Sequence, residues 1–113
     1  MKAIIDGNEY RVTLVDNALS SSFAAMLPLD MELSRSGGHE YYASLPKALD
    51  TEGARLVSKV KDNGLYYFKA WNALSLNFKD MDISPYEVHE LGTIEGAVEV
   101  LENSGTKLIV KFE

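Results

Sequence analysis

The stretch Tyr67-Phe68-Lys69-Ala70-Trp71-Asn72-Ala73-Leu74-Ser75-Leu76-Asn77-Phe78 decides the fold. Its second half alternates, because apolar residues lie on either side of Ser75 and Asn77. A period of two residues is typical of a strand with one buried face. The residues at 65–70 form an equally apolar partner, so we predict an antiparallel hairpin that turns at Trp71-Asn72.

Further hairpins extend outward from this one in both directions along the chain. A helix is expected to open at Asp16 and end at Pro28, and a second, short helix to cover 96–102. Strands are predicted at 2–5, 9–15, 29–34, 39–44, 65–70, 73–78, 87–93 and 106–112, with 56–60 as a further short candidate. Seven or eight antiparallel strands must hide their edges, and closing a barrel is the simplest solution. We therefore expect a mainly β protein, with residues 1–113 forming one barrel domain.

Composition excludes several classes of function. The chain has 113 residues, 46% of them hydrophobic, and a net charge of −6, which is typical of a soluble globular domain. It has no cysteine, so disulfides and thiolate metal sites are excluded. The apolar runs are too short for a signal peptide or a membrane span, and no basic stripe suits nucleic acid. We expect a cytoplasmic protein with neither membrane nor nucleic acid as partner.

Four segments in order resemble the small prokaryotic cyclophilin-like proteins. They are Asp16-Asn17 with the helix running through Phe23-Ala24-Ala25-Met26-Leu27-Pro28-Leu29, then Tyr41-Tyr42-Ala43-Ser44-Leu45-Pro46, the hairpin 67–78, and Glu90-Leu91-Gly92-Thr93-Ile94. The resemblance covers nearly the whole chain. It implies a closed eight-stranded antiparallel cyclophilin-like barrel with two short helices over its open ends. The function of these proteins is largely unassigned.

The chain departs from the isomerases that share this fold. Those enzymes use an arginine, groove-lining glutamines and a phenylalanine-rich pocket for proline, and this chain has no glutamine. Its arginines at 11, 35 and 55 do not lie in the strand context of the isomerases. Phe78 is the one residue that we match to the pocket phenylalanine. Because fold alone does not establish activity, a low-efficiency peptidyl-prolyl isomerase is kept only as an alternative.

Aromatic residues give the leading functional hypothesis. Adjacent pairs such as Tyr41-Tyr42 and Tyr66-Tyr67 must point to opposite faces of a sheet, so one ring of each pair faces outward. Outward rings near Trp71 suit a groove that accepts a peptide segment or a flat small molecule. The predicted ligand-binding residues are His39, Tyr41, Tyr67, Trp71, Phe78 and Tyr86. The alternative is a structural role, in which these rings cover helices or form a homodimer interface.

Other candidate sites have simpler explanations. His39 and His89 are too few for a zinc site and are expected at the surface. Ser20-Ser21-Ser22 lies in a first helical turn, where serines satisfy free backbone N–H groups. The glutamates at 95, 99 and 102 share one solvated helix face. We therefore predict no metal, no cofactor and no catalytic residue.

The net negative charge arises entirely from one end of the chain. Eight of the 17 acidic residues but only two of the 11 basic residues follow position 79, so residues 1–79 carry nine of each and sum to zero. If the acidic segment borders the groove, its field favours neutral or cationic ligands over anions.

Overall fold

The computed structural model describes residues 1–113 as eleven strands, two α-helices and one 3-10 turn. The strands are β1 (Lys2–Ile5), β2 (Asn8–Leu14), β3 (Leu29–Ser36), β4 (Glu40–Ser44), β5 (Leu56–Val57), β6 (Lys59–Val60), β7 (Gly64–Phe68), β8 (Ala73–Asn77), β9 (Met81–Asp82), β10 (Val88–Ile94) and β11 (Lys107–Phe112). The helices are α1 (Ala18–Ala24) and α2 (Val98–Glu102), and the 3-10 turn spans Lys69–Trp71. Neither helix is long or apolar enough to cross a bilayer.

Eight of these strands close into an antiparallel barrel, as predicted. Their order is β2-β1-β11-β3-β4-β8-β7-β10, and β10 pairs back with β2 to complete the circle. Strand β5 adds to one end of β10, while β6 and β9 form a separate two-stranded ribbon. Closure removes the long exposed edges that an open sheet would present.

The barrel closes where β10 meets β2, at Gly92. A Cβ atom at this position would lie 2.3 Å from the carbonyl oxygen of Thr13, closer than any two such atoms can approach. The pairing of β10 with β7 also shifts register between Glu90 and Gly92. Glycine is required here because the two backbones approach each other too closely for a side chain.

The barrel interior is a continuous apolar core. Leu19 and Phe23 of α1 and Leu101 of α2 belong to it, so both helices are held by the side chains that they bury. The Phe23 ring packs edge-on against Phe112 of β11, with 5.6 Å between ring centroids. The alternating burial of β11 shows the period of two that predicted this strand.

Both helices are shorter than predicted. The cap of α1 is Asn17 rather than Asp16: its side chain accepts the Ser20 N–H, and the Ser20 hydroxyl oxygen accepts the Asn17 N–H. This reciprocal pair leaves no capping role for Asp16. Helix α2 begins only after Gly96, whose φ is +68°. The predicted strand at 56–60 divides into β5 and β6, and β9 is a further two-residue strand between the predicted strands at 73–78 and 87–93.

Candidate functional site

A groove with a volume of about 290 Å³ lies on the outer face of the barrel, across β4, β8 and β7. Strand β4 contributes Glu40 and Tyr42, β8 contributes Ala73 and Ser75, and β7 contributes Phe68. The strand pairing places them on one face, since Tyr42 lies opposite Ser75 and Phe68 opposite Ala73. Directly paired residues point to the same side of a sheet.

Aromatic rings form the walls of this groove, with Phe68 at the centre. Its ring centroid lies 5.3 Å from that of Trp71, at an interplanar angle of 73°, and 6.3 Å from that of Tyr86, at 90°. The ring centroid of Tyr42 lies 6.4 Å from that of Trp71. Trp71 and Tyr86 are 65% and 64% exposed, so two large rings stand at the rim in contact with solvent.

The segment between β9 and β10 forms a further wall. The Ile83 N–H donates to Ser58 O at 2.8 Å, and the Tyr86 N–H donates to Ile83 O at 3.0 Å. The Asp82 carboxylate accepts the Ser84 N–H at 3.0 Å, and hydrogen bonds from the Ser84 side chain and backbone lower the pKa of Asp82. These bonds hold Ile83 and Tyr86 against the groove, which both line.

Polar groups lie at the floor of the groove, on β4 and β8. The Glu40 side chain is only 26% exposed, and its carboxylate oxygen lies 3.6 Å from Nε2 of His39, whose Nδ1 lies 3.1 Å from Gly37 O. Burial raises the pKa of Glu40, and attraction to His39 only partly opposes this. Glu40 is therefore a desolvated carboxyl beside an apolar surface.

Asn77 lies opposite Glu40 in the pairing of β4 with β8 and is fully buried. Its Nδ2 donates to Ser75 Oγ at 3.4 Å, while its Oδ1 has no hydrogen-bond partner within the protein. Buried polar atoms are rarely left unpaired, because each costs free energy. Asn77 does not itself line the groove; the polar side chains that β4 and β8 contribute to its floor are those of Glu40 and Ser75.

Three of the six predicted ligand-binding residues line the groove, namely His39, Trp71 and Tyr86. Tyr41, Tyr67 and Phe78 do not, because all three rings are buried in the barrel core. The reason is the alternation of the strands: Tyr67 pairs with Leu74 and Tyr41 with Leu76, on the inward face. The structure therefore does not bring these three rings to the groove.

The outward-facing neighbours of Tyr41 and Tyr67 along the chain, Tyr42 and Phe68, line the groove instead. The sequence indicates the outward direction of Phe68. A turn at Trp71-Asn72 pairs Phe68 with Ala73 and places Tyr67 opposite Leu74, which faces inward. Tyr66 also points away from the barrel interior, but its ring is buried in a small cluster with Val60 and Val88. Of the adjacent pair Tyr66-Tyr67, neither ring is therefore available to a ligand.

Phe78, matched above to the proline pocket of the isomerases, is covered from inside the barrel. The guanidinium of Arg35 lies 4.5 Å from the centroid of the Phe78 ring. The same group donates to the Tyr41 hydroxyl at 2.9 Å and to the carbonyl oxygens of Leu101 and Glu102 at 3.2 and 2.9 Å. Arg35 therefore holds the C-terminal end of α2 onto the barrel.

The remaining candidate residues have structural contacts of their own. His89 is buried rather than at the surface, with Nδ1 3.2 Å from Ala54 O. No group of three or more His, Cys, Asp or Glu side chains is placed to hold a metal ion. The Ser20 hydroxyl donates to Asn17 O, and the Ser22 hydroxyl donates to Leu19 O. Of the segment after position 79, only Ile83, Tyr86 and Val88 line the groove, and none of its acidic side chains does.

The comparison with known families agrees with the closed barrel and its two helices. The chain matches the family model described as the cyclophilin-like family over residues 3–113, which confirms the resemblance of the four segments. No curated protein matches the chain. Since the match covers nearly all of its length, the chain belongs to the cyclophilin-like family.

Proposed function

We propose that this chain is a binding domain that accepts a small molecule or a short peptide segment in the groove between β4 and the β7–β8 hairpin. One observation carries the proposal: two large aromatic side chains, Trp71 and Tyr86, stand exposed at the rim of an apolar cavity with a buried polar floor. Apolar walls with a few convergent polar groups are typical of ligand sites, which usually have volumes from about 300 Å³ upward.

The rival function is a low-efficiency peptidyl-prolyl isomerase. The burial of Phe78 beneath Arg35 makes this the less favoured alternative, because neither side chain presents a free face to a prolyl ring. A protease-coupled isomerisation assay on a proline-containing tetrapeptide separates the two functions. Turnover above the uncatalysed rate would refute a domain that only binds.

A structural or oligomerisation role is the third reading of the exposed rings. Static light scattering, with iodide quenching of Trp71 fluorescence, tests it directly, because Trp71 is the only tryptophan in the chain. Our proposal expects Trp71 to be quenched freely. A dimer in which Trp71 is protected from iodide would show that the groove is an interface.

Binding itself is tested by saturation-transfer NMR with small probes of different chemistry: indole, a proline tetrapeptide, choline and benzoate. We expect at least one probe to bind and its signal to weaken in Phe68→Ala. Ile109→Ala is the control, because Ile109 is a large apolar side chain that is 69% exposed and lies outside the groove. Absence of binding by every probe, or equal loss in the Ile109 variant, would contradict the proposal.

A further inference from the structure

The angles between the groove rings restrict the shape of the group that they can surround. Tyr86 stands at 90° to Phe68, and Trp71 at 73° to the same ring. Rings at such angles cannot all stack on one flat ligand, but they can surround a compact, rounded one. The face of each ring carries partial negative charge and attracts a cation within about 6 Å of its centroid.

The charge of the groove favours the same kind of ligand. Glu40 is the only Asp, Glu, Lys or Arg among the lining residues, and the one imidazole there, that of His39, lies 3.6 Å from its carboxylate. No lysine or arginine therefore competes for the carboxylate from within the groove. Burial raises the pKa of Glu40, which means that its negative charge is poorly solvated and would gain from a bound cation.

The apolar walls distinguish between kinds of cation. A primary ammonium group is strongly hydrated and needs a partner for each of its three N–H donors. A trimethylammonium group has no N–H donor and presents only methyl groups, which pack against the rings without leaving a donor unpaired. The cavity of about 290 Å³ accommodates such a head group with a short tail.

We propose that the groove binds the trimethylammonium group of a small organic cation, held between the rings of Phe68, Trp71 and Tyr86 and facing the Glu40 carboxylate. This inference rests on the proposed binding function and specifies its ligand class. The ammonium head group carries the positive charge of the ligand. The rest of the ligand contributes only apolar or weakly polar contacts at the rim of the groove.

The test compares choline with neohexyl alcohol, in which a neutral tert-butyl group replaces the trimethylammonium group at nearly the same size. Titration calorimetry should show choline binding at least about tenfold more tightly, and the same factor should be lost in Glu40→Gln and Tyr86→Ala. The N-methyl proton signal of bound choline should move upfield, because ring currents shield groups that lie over aromatic faces. Ile109→Ala should bind choline as the unaltered protein does.

The remaining outcomes separate this inference from the proposed function. Equal affinity for choline and neohexyl alcohol would refute the ammonium ligand while leaving a binding groove in place. Binding of a trimethyl-lysine peptide without binding of choline would overturn the small-molecule source of the cation. If none of these ligands binds, and indole, the proline tetrapeptide and benzoate do not bind either, the proposed function fails as well.

Discussion

Truncating Phe68 should disorder the groove without unfolding the barrel. Phe68→Ala removes two edge-on ring contacts, to Trp71 at 5.3 Å and to Tyr86 at 6.3 Å. Each aromatic pair contributes about 0.5–1.5 kcal/mol, so the two together give about 1–3 kcal/mol. Because Phe68 is only half-buried, its apolar transfer energy adds less than the full cost of a core truncation. Adding this partial transfer energy to the mid-range pair energies, we expect a loss of about 3 kcal/mol in the free energy of unfolding.

Urea denaturation followed by far-UV circular dichroism measures this loss, and near-UV dichroism of Trp71 reports the order of the rings. Ile109→Ala should cost less than about 0.5 kcal/mol, since a solvated apolar side chain loses few contacts. Phe68→Leu should retain part of the stability but lose the near-UV signal. A cost below about 0.5 kcal/mol for Phe68→Ala, with the Trp71 signal unchanged, would refute the packed aromatic set.

Three further predictions test the floor of the groove, the interior of the barrel and the closure of the barrel. Burial raises the pKa of Glu40 above its usual 4.5, so the folded protein loses stability as pH rises through the folded-state pKa and the buried carboxyl becomes charged. Glu40→Gln cannot become charged, and it should therefore be more stable than the wild type at neutral pH. In urea titrations at several pH values this gain should vanish in acid, and a gain independent of pH would contradict the assignment. Arg35→Met should cost about 3 kcal/mol by losing charged hydrogen bonds to α2, while ligand affinity stays unchanged. Gly92→Ala should cost about 3 kcal/mol because its Cβ collides with Thr13 O, and wild-type-like thermal stability would argue against closure there.

The barrel could be predicted because its evidence is local. The alternation of β8 indicates an inward face at Leu74 and Leu76, and the structure has that face. The same alternation, carried across the turn at Trp71-Asn72, assigns Tyr67 to the interior and Phe68 to the outside. The phenol ring of Tyr67 has the chemistry of a ligand contact, but this pairing places the ring in the barrel core.

The groove could be predicted only in part, because its walls come from distant segments. Ile83 and Tyr86 reach Phe68 through the β6–β9 ribbon, whose two-residue strands carry no periodic signal. Glu40 meets Asn77 only through the register of β4 with β8. The burial of Glu40 depends on that pairing. From the sequence alone, a carboxyl next to a glycine turn cannot be distinguished from a solvated surface residue.

The most direct test of the account is a chemical-shift map of the protein saturated with whichever probe binds most tightly. We predict that the largest changes fall on the aromatic C–H signals of Phe68, Trp71 and Tyr86 and on the Glu40 amide. A second cavity is lined by Ile5, Val100 and Ile109. Changes confined to that cavity would contradict a ligand site on the face formed by β4, β7 and β8.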